Sequence, residues 1–191
     1  METSSLKKTQ PRIINEIDVE ELENSIQEVA RNSEKGLTRW RVSTSWVGGA
    51  RSKTQVDSCD IGGQTVKKDF QIYTDEPLEL GGTNKYPNPQ ETLMAAFNSC
   101  MMVGYVTLCS LEGIEISELR IETDGDIDLR GLFALDPQVK PGYDEIHYRV
   151  HLKGNGTKEQ FQKIHETVMA TSPNRFNIAN PIRLVPELVL E

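Results

Sequence analysis

Hydrophobic and polar residues recur along this chain with two periods, and the switches between them predict an order of elements. Asp18 and Glu21 carry the spacing of a helix start, and Leu22, Ile26, Val29 and Ala30 share a helical face up to about Ser33, before Gly36. The period then falls to two. Trp40, Val42, Thr44 and Trp46 line one side of a strand, and Gly48 and Gly49 turn the chain into KTQVDSC. A second turn, Asp60 to Gly63, leads to a strand with Val66, Phe70 and Ile72 on one side. Three antiparallel strands joined by short turns predict a meander.

From Pro87 onward the helical period returns over a longer stretch. Asn88 suits the cap, Pro89 the first helical position, and Glu91 completes a capping box, so the helix starts sharply there and stops at Gly113. Leu93, Ala96, Phe97, Cys100, Gly104, Leu108 and Leu111 follow the period, while Met94, Met101, Met102, Val103, Tyr105 and Val106 cover much of the remaining circumference. A helix apolar on so many sides needs cover from a sheet and from something else, and a second subunit can supply it.

Two more strands follow in GIEISELRIETDGDID and DEIHYRVHLKG, the second alternating Ile146, Tyr148, Val150 and Leu152. Their connection, LRGLFALDPQVKPG, is long for a hairpin and is expected to form a flap. Thr157 and Gln160 make a capping box ahead of Phe161, Ile164, Val168 and Met169, and that helix ends before Pro173. IRLVPELVL predicts a last strand, with Pro186 marking an edge or a bulge. The expected organisation is a flexible arm over 1–15, an amino-terminal helix over 16–36, and one α+β domain over 37–191 with antiparallel sheets packed on a long buried central helix.

Composition narrows the function classes. A chain of 191 residues buries roughly 70% of its unfolded surface as one domain. The net charge of -8, with no Lys/Arg cluster longer than two residues, argues against nucleic acid and anionic membrane surfaces as partners. No continuous run reaches the roughly 18 apolar residues of a spanning helix, and METSSLKKTQPR lacks the apolar centre of a secretion signal, so a cytoplasmic location is expected. Three cysteines, Cys59, Cys100 and Cys109, are an odd number and form no secreted disulfide framework. They lack paired zinc spacings, and His147 and His151, four apart on a strand, would stand about 13 Å apart. Neither a metal nor a cofactor is expected.

Among side chains that carry chemistry, Cys100 lies in the third turn of the central helix. On the residues alone it reads first as a buried structural cysteine, because burial disfavours a thiolate unless a cation is near. Cys109 is nine residues on, about 13 Å along the axis, and cannot pair with Cys100 without unfolding the helix. Cys59 reads as a turn residue, exposed.

The run GGARSKTQV, then ELGGTNKYPNPQETLMAAFNSC, then GIEI in the following strand, resembles the OsmC/Ohr superfamily, the osmotically inducible and organic hydroperoxide resistance proteins. The resemblance extends from about Thr38 to the carboxyl terminus. Its specific part is Asn-Pro-x-x-x-Leu-x-Ala-Ala-x-x-x-Cys, ending at Cys100. It implies a thiol peroxidase with two cysteines, an arginine and a glutamate in a pocket at the interface of an intertwined homodimer. Cys100 matches the attacking cysteine. The resolving cysteine falls where this chain has Ser172, which cannot form a disulfide. The arginine is best matched by Arg51, one residue out of register with the family's Gly-Gly-Arg, and a turn charge is its alternative reading. The glutamate falls on Gln90 in the hydroperoxide-resistance pattern and on Glu91 in the broader one, where Glu91 also reads as the capping-box residue.

Two functions follow from the resemblance. One is a peroxidase that reduces organic hydroperoxides through Cys100 alone and is recycled by an external thiol. The other is a binding protein that has lost this activity and keeps an apolar pocket for a small ligand.

Overall fold

Asp18 accepts a hydrogen bond from the Glu21 N–H at 3.1 Å, and this cap starts the first helix, α1 (Val19–Arg31), where the sequence places it. The computed structural model describes residues 11–190, so most of the expected arm lies outside the described residues. After that part, β1 (Ile13–Ile14) and β2 (Ile17–Asp18) pair across a two-residue turn in which Asn15 and Glu16 both take positive φ. The chain divides into two compact units. One runs up to Thr92 and includes Ser110–Gly113; the other comprises Leu93–Cys109 and the chain from Ile114 onward.

In the first unit, β3 (Thr38–Trp40) and β4 (Ser43–Gly48) both pair antiparallel with β5 (Arg51–Ile61), whose other edge pairs with β6 (Gln64–Thr74). This is the predicted meander with its first strand broken at Arg41–Val42. The rows Trp40–Cys59–Val66 and Thr44–Thr54–Ile72 put apolar groups on one face. On this sheet Trp40, Trp46 (77% exposed) and Phe70 are exposed, while Cys59, in the row of Trp40, is buried. Cys59 corrects its own expectation: it lies inside β5, not in the turn, and is buried. The strand runs on to Ile61, and the turn itself is Gly62–Gly63.

Beyond β6, Asp75 organises the Gly-Gly-Thr segment. Its buried carboxylate accepts from the Thr83 hydroxyl at 2.5 Å and from the backbone N–H groups of Glu76, Thr83 and Lys85. A Cβ on Gly82 would stand 1.8 Å from the Glu76 carbonyl oxygen, so only glycine fits this close return of the chain. Asn88 then caps α2 (Pro89–Leu111): its side-chain oxygen accepts from the Glu91 N–H at 2.8 Å, and its own N–H donates to the Glu91 carboxylate at 2.7 Å.

The second unit holds the core. Phe97, Met101, Tyr105 and Cys109 on α2 form one buried stripe at intervals of four residues. It packs with β7 (Ile116–Asp124), β8 (His147–Gly154) and α4 (Lys158–Thr171) through Leu119, Val150, Ile164 and Val168. The strands β7 and β8 pair antiparallel from Ile116 opposite Gly154 to Asp124 opposite His147, and their connection contains the one-turn helix α3 (Leu129–Leu132). By length and composition α2 would suit a membrane span, although no unbroken apolar run marks it in the sequence. Its stripe instead belongs to the folded core, while Val103 stays 65% exposed. Two elements differ from expectation. A further helix, α5 (Pro173–Ala179), starts directly after α4 with Pro173 in its first turn. The predicted last strand does not form: residues 180–190 have no regular structure, and Leu184, Leu188 and Leu190 are exposed. Alternation alone makes no strand without an edge to pair with.

Candidate functional site

The site is set by a close approach of α2 and α4. Gly104 lies one turn beyond Cys100, and a Cβ there would stand 3.3 Å from both methyl groups of Val168. Glycine therefore lets the Val168 side chain of α4 lie against the backbone of α2. One turn along each helix the same approach brings Ser172 Oγ to 3.6 Å from Cys100 Sγ, within hydrogen-bond reach for sulfur. Ser172 is 6% exposed and Cys100 half-buried.

Backbone and side-chain contacts fix this turn. The Ser172 N–H donates to the Val168 carbonyl at 2.9 Å and closes α4, while its carbonyl accepts from the Phe176 N–H at 2.9 Å and opens α5. Asn174 Nδ2 donates to the Ala96 carbonyl of α2 at 2.8 Å. Arg175 donates through Nη1 to the Met169 carbonyl at 2.8 Å and through Nε to the Tyr148 hydroxyl at 3.4 Å. Asn174 and Arg175 escaped the sequence reading; the available signal was Ser-Pro after a helix, which marks a new helix start.

The other candidate residues belong to the first unit. Arg51 opens β5 and its Nε donates to the Gly48 carbonyl at 3.1 Å, a contact of the turn. Gln90 is exposed at the start of α2. Glu91 is engaged in the capping box with Asn88. Cys109, by contrast, is fully buried in the second unit's stretch of α2, where burial pushes its thiol pKa up and keeps it protonated. Among the described residues no group of three or more His, Cys, Asp and Glu could hold a metal. His147 and His151 each face a carboxylate instead, Glu145 at 2.9 Å and Glu122 at 3.0 Å.

Two open clefts flank the core of the second unit. One, of about 410 Å³, has Leu93, Phe97 and Ile178 on its apolar side and Arg175, Asp144 and Glu145 as its charged groups. The other, of about 700 Å³, is lined by Val150, Leu152 and Phe161 beside Tyr105 and His165. Burial pushes the Tyr105 hydroxyl pKa up to about 12, so it keeps its proton, and it shares a hydrogen bond of 2.6 Å with His165 Nδ1.

A long helix bearing a half-buried cysteine, packed with an antiparallel pair of strands and a capped second helix, makes an α+β protein. The chain belongs to the OsmC-like protein family, whose model matches residues 82–187. Solved structures agree on the fold. An OsmC-like protein from Mycoplasma pneumoniae matches with a TM-score of 0.57 at 13% identity, covering 74% of this chain and 87% of its own. An OsmC-like protein of unknown function from Vibrio cholerae matches with a TM-score of 0.56 at 11% identity, covering 73% and 92%. No curated protein matches the sequence.

Proposed function

We propose that this protein is a thiol-dependent peroxidase that reduces organic hydroperoxides through Cys100 as its single peroxidatic cysteine. The observation that carries the reading is the group 3.6 Å from Cys100 Sγ: a serine hydroxyl, which cannot form a disulfide. The Cys100 thiolate attacks the outer peroxide oxygen, the O–O bond breaks, and the alkoxide leaves as the alcohol after taking a proton. Cys100 is left as a sulfenic acid. An external thiol condenses with it, forming a mixed disulfide and releasing water, and a second thiol restores Cys100 and leaves as the oxidised external disulfide. Hydroperoxide plus two thiols thus give alcohol, water and one disulfide. Arg51 is the cation proposed to keep the thiolate ionised, and Gln90 or Glu91 marks the place of the family glutamate.

The working unit is proposed to be a homodimer in the cytoplasm. Its support is the apolar surface that one chain leaves open: the face of Trp40, Trp46 and Phe70, and Val103 on α2. Exposed apolar area of this extent on a folded chain marks an association surface.

Turnover of an organic hydroperoxide with a dithiol tests the reading. Wild type should consume both in equal amounts, and Cys100→Ser should not. If wild type shows no thiol-dependent loss above the Cys100→Ser background, the ligand-binding reading of the same fold replaces it.

A further inference from the structure

Ser172 occupies a position where a serine ordinarily serves the helix that follows. As the residue before α5 it is that helix's cap, and a capping hydroxyl accepts from the second or third backbone N–H. Here no such side-chain bond is made; the hydroxyl is turned to Cys100 Sγ instead. Its direction is not left to chance. The Ser172 backbone is bonded on both sides, Pro173 restricts the next φ, and Asn174 is tied to the carbonyl of Ala96, one turn before Cys100. The residue is nine-tenths buried, so water competes poorly for its proton.

We propose that Ser172 is a hydrogen-bond donor to the Cys100 thiolate, beside the cation proposed for Arg51, its hydroxyl pointing its hydrogen at the sulfur before each attack on peroxide. The inference rests on the peroxidase reading for its biological use, but not for its chemistry. A hydroxyl that donates to the charged form of a thiol favours that form, and a thiolate is a far better acceptor than a thiol. A cysteine in this place would be consumed as a disulfide partner in every cycle. A serine is not oxidised by the hydroperoxide and donates again once the sulfur is restored. The surroundings make the donor count. Between Glu91 and Glu112, α2 carries no Asp, Glu, Lys, Arg or His. In the turn from α4 to α5 the charged residue is Arg175, with Nε and Nη1 already given to Tyr148 and Met169. The histidine of α4, His165, is bonded to Tyr105.

The test is the rate of alkylation of Cys100 by iodoacetamide against pH in the full-length protein. The adduct is followed on the peptide that carries Cys100, so Cys59 and Cys109 do not contribute. Ser172→Ala should move the midpoint of the profile to higher pH and slow alkylation near pH 7 about tenfold, as expected for losing one hydrogen bond to an ionised group at the weak end of its range. Ser172→Thr, which keeps the hydroxyl, should return the midpoint toward wild type. Thermal melting of each variant establishes that it is folded before the profiles are compared. An unchanged midpoint in folded Ser172→Ala overturns the inference. So does a uniform change in rate at every pH, which would mean that Ser172 only controls access. No peroxide enters this assay, so a protein that fails the turnover test can still show the shift, and one that passes it can still lack it.

Discussion

Replacing Ser172 by cysteine should convert the pair at the α2–α4 approach into a disulfide. In wild type the oxygen stands 3.6 Å from Cys100 Sγ. Sulfur carries a longer bond to Cβ, which narrows the gap toward the roughly 2.05 Å of a disulfide and leaves a small side-chain rotation to complete it. The crosslink would close a loop of 72 residues. The chain-entropy relation gives about 15 cal/mol/K for that length, or about 4 kcal/mol at 25 °C, as an upper value before any native strain. For a protein of this size that corresponds to a rise in Tm of about 10 °C. The assay oxidises Ser172→Cys with one equivalent of hydroperoxide, maps the linked peptides by mass spectrometry without reductant, and compares melting of the oxidised and reduced forms. The expected result is an intramolecular link between Cys100 and the new thiol, with the oxidised form melting higher. If the new thiol stays free while Cys100 is oxidised to the sulfenic acid, or if links form only between chains, the packing derived for α2 and α4 is wrong.

Gly104→Val should push the two helices apart, because its first added carbon would already stand 3.3 Å from the Val168 methyls; the expected cost is about 1–3 kcal/mol of stability in urea melts, with slower peroxide reduction through the displaced Ser172. Asp75 titrates against folding with a definite sign: the Thr83 hydroxyl and three backbone N–H groups hold its carboxyl pKa well below the usual carboxylate range. Its contribution is therefore complete above the unfolded value of about 3.9 and is lost as pH falls below it, and urea melts of Asp75→Asn should depend less steeply on pH in that window than wild type. Sedimentation should give about twice the 21.5 kDa chain, and Trp46→Asp on the open sheet face should shift it toward the monomer. A stable wild-type monomer at micromolar concentration would refute the dimer.

Much of the fold was legible because several local signals agreed. Asp18, Asn88 and Thr157 start their helices through side-chain bonds, and each bond was written in the residue three positions on. Strand order in the meander followed from short turns with glycines at positive φ. What stayed hidden depends on contacts distant in sequence. Cys59 was misplaced by two residues of strand length, which decides between a buried row and a turn. The strand pattern of 182–190 describes one face of a segment and says nothing about whether an edge is there to receive it. At the site, Cys100 and Ser172 were found by the spacing of a family motif. The hydroxyl's turn toward sulfur, and Asn174's grip on Ala96, belong to packing between α2 and the α4–α5 corner, and no local pattern encodes them.

The proposed chemistry has Cys100 take an oxygen from an organic hydroperoxide with no cysteine placed to resolve it. The most direct measurement is the intact mass of the protein after one equivalent of organic hydroperoxide with no thiol present, followed by a sulfenic-acid probe. A gain of one oxygen, a single probe adduct on Cys100 and no adduct in Cys100→Ser are expected. An unmodified Cys100, or a disulfide between Cys100 and Cys109, would contradict it.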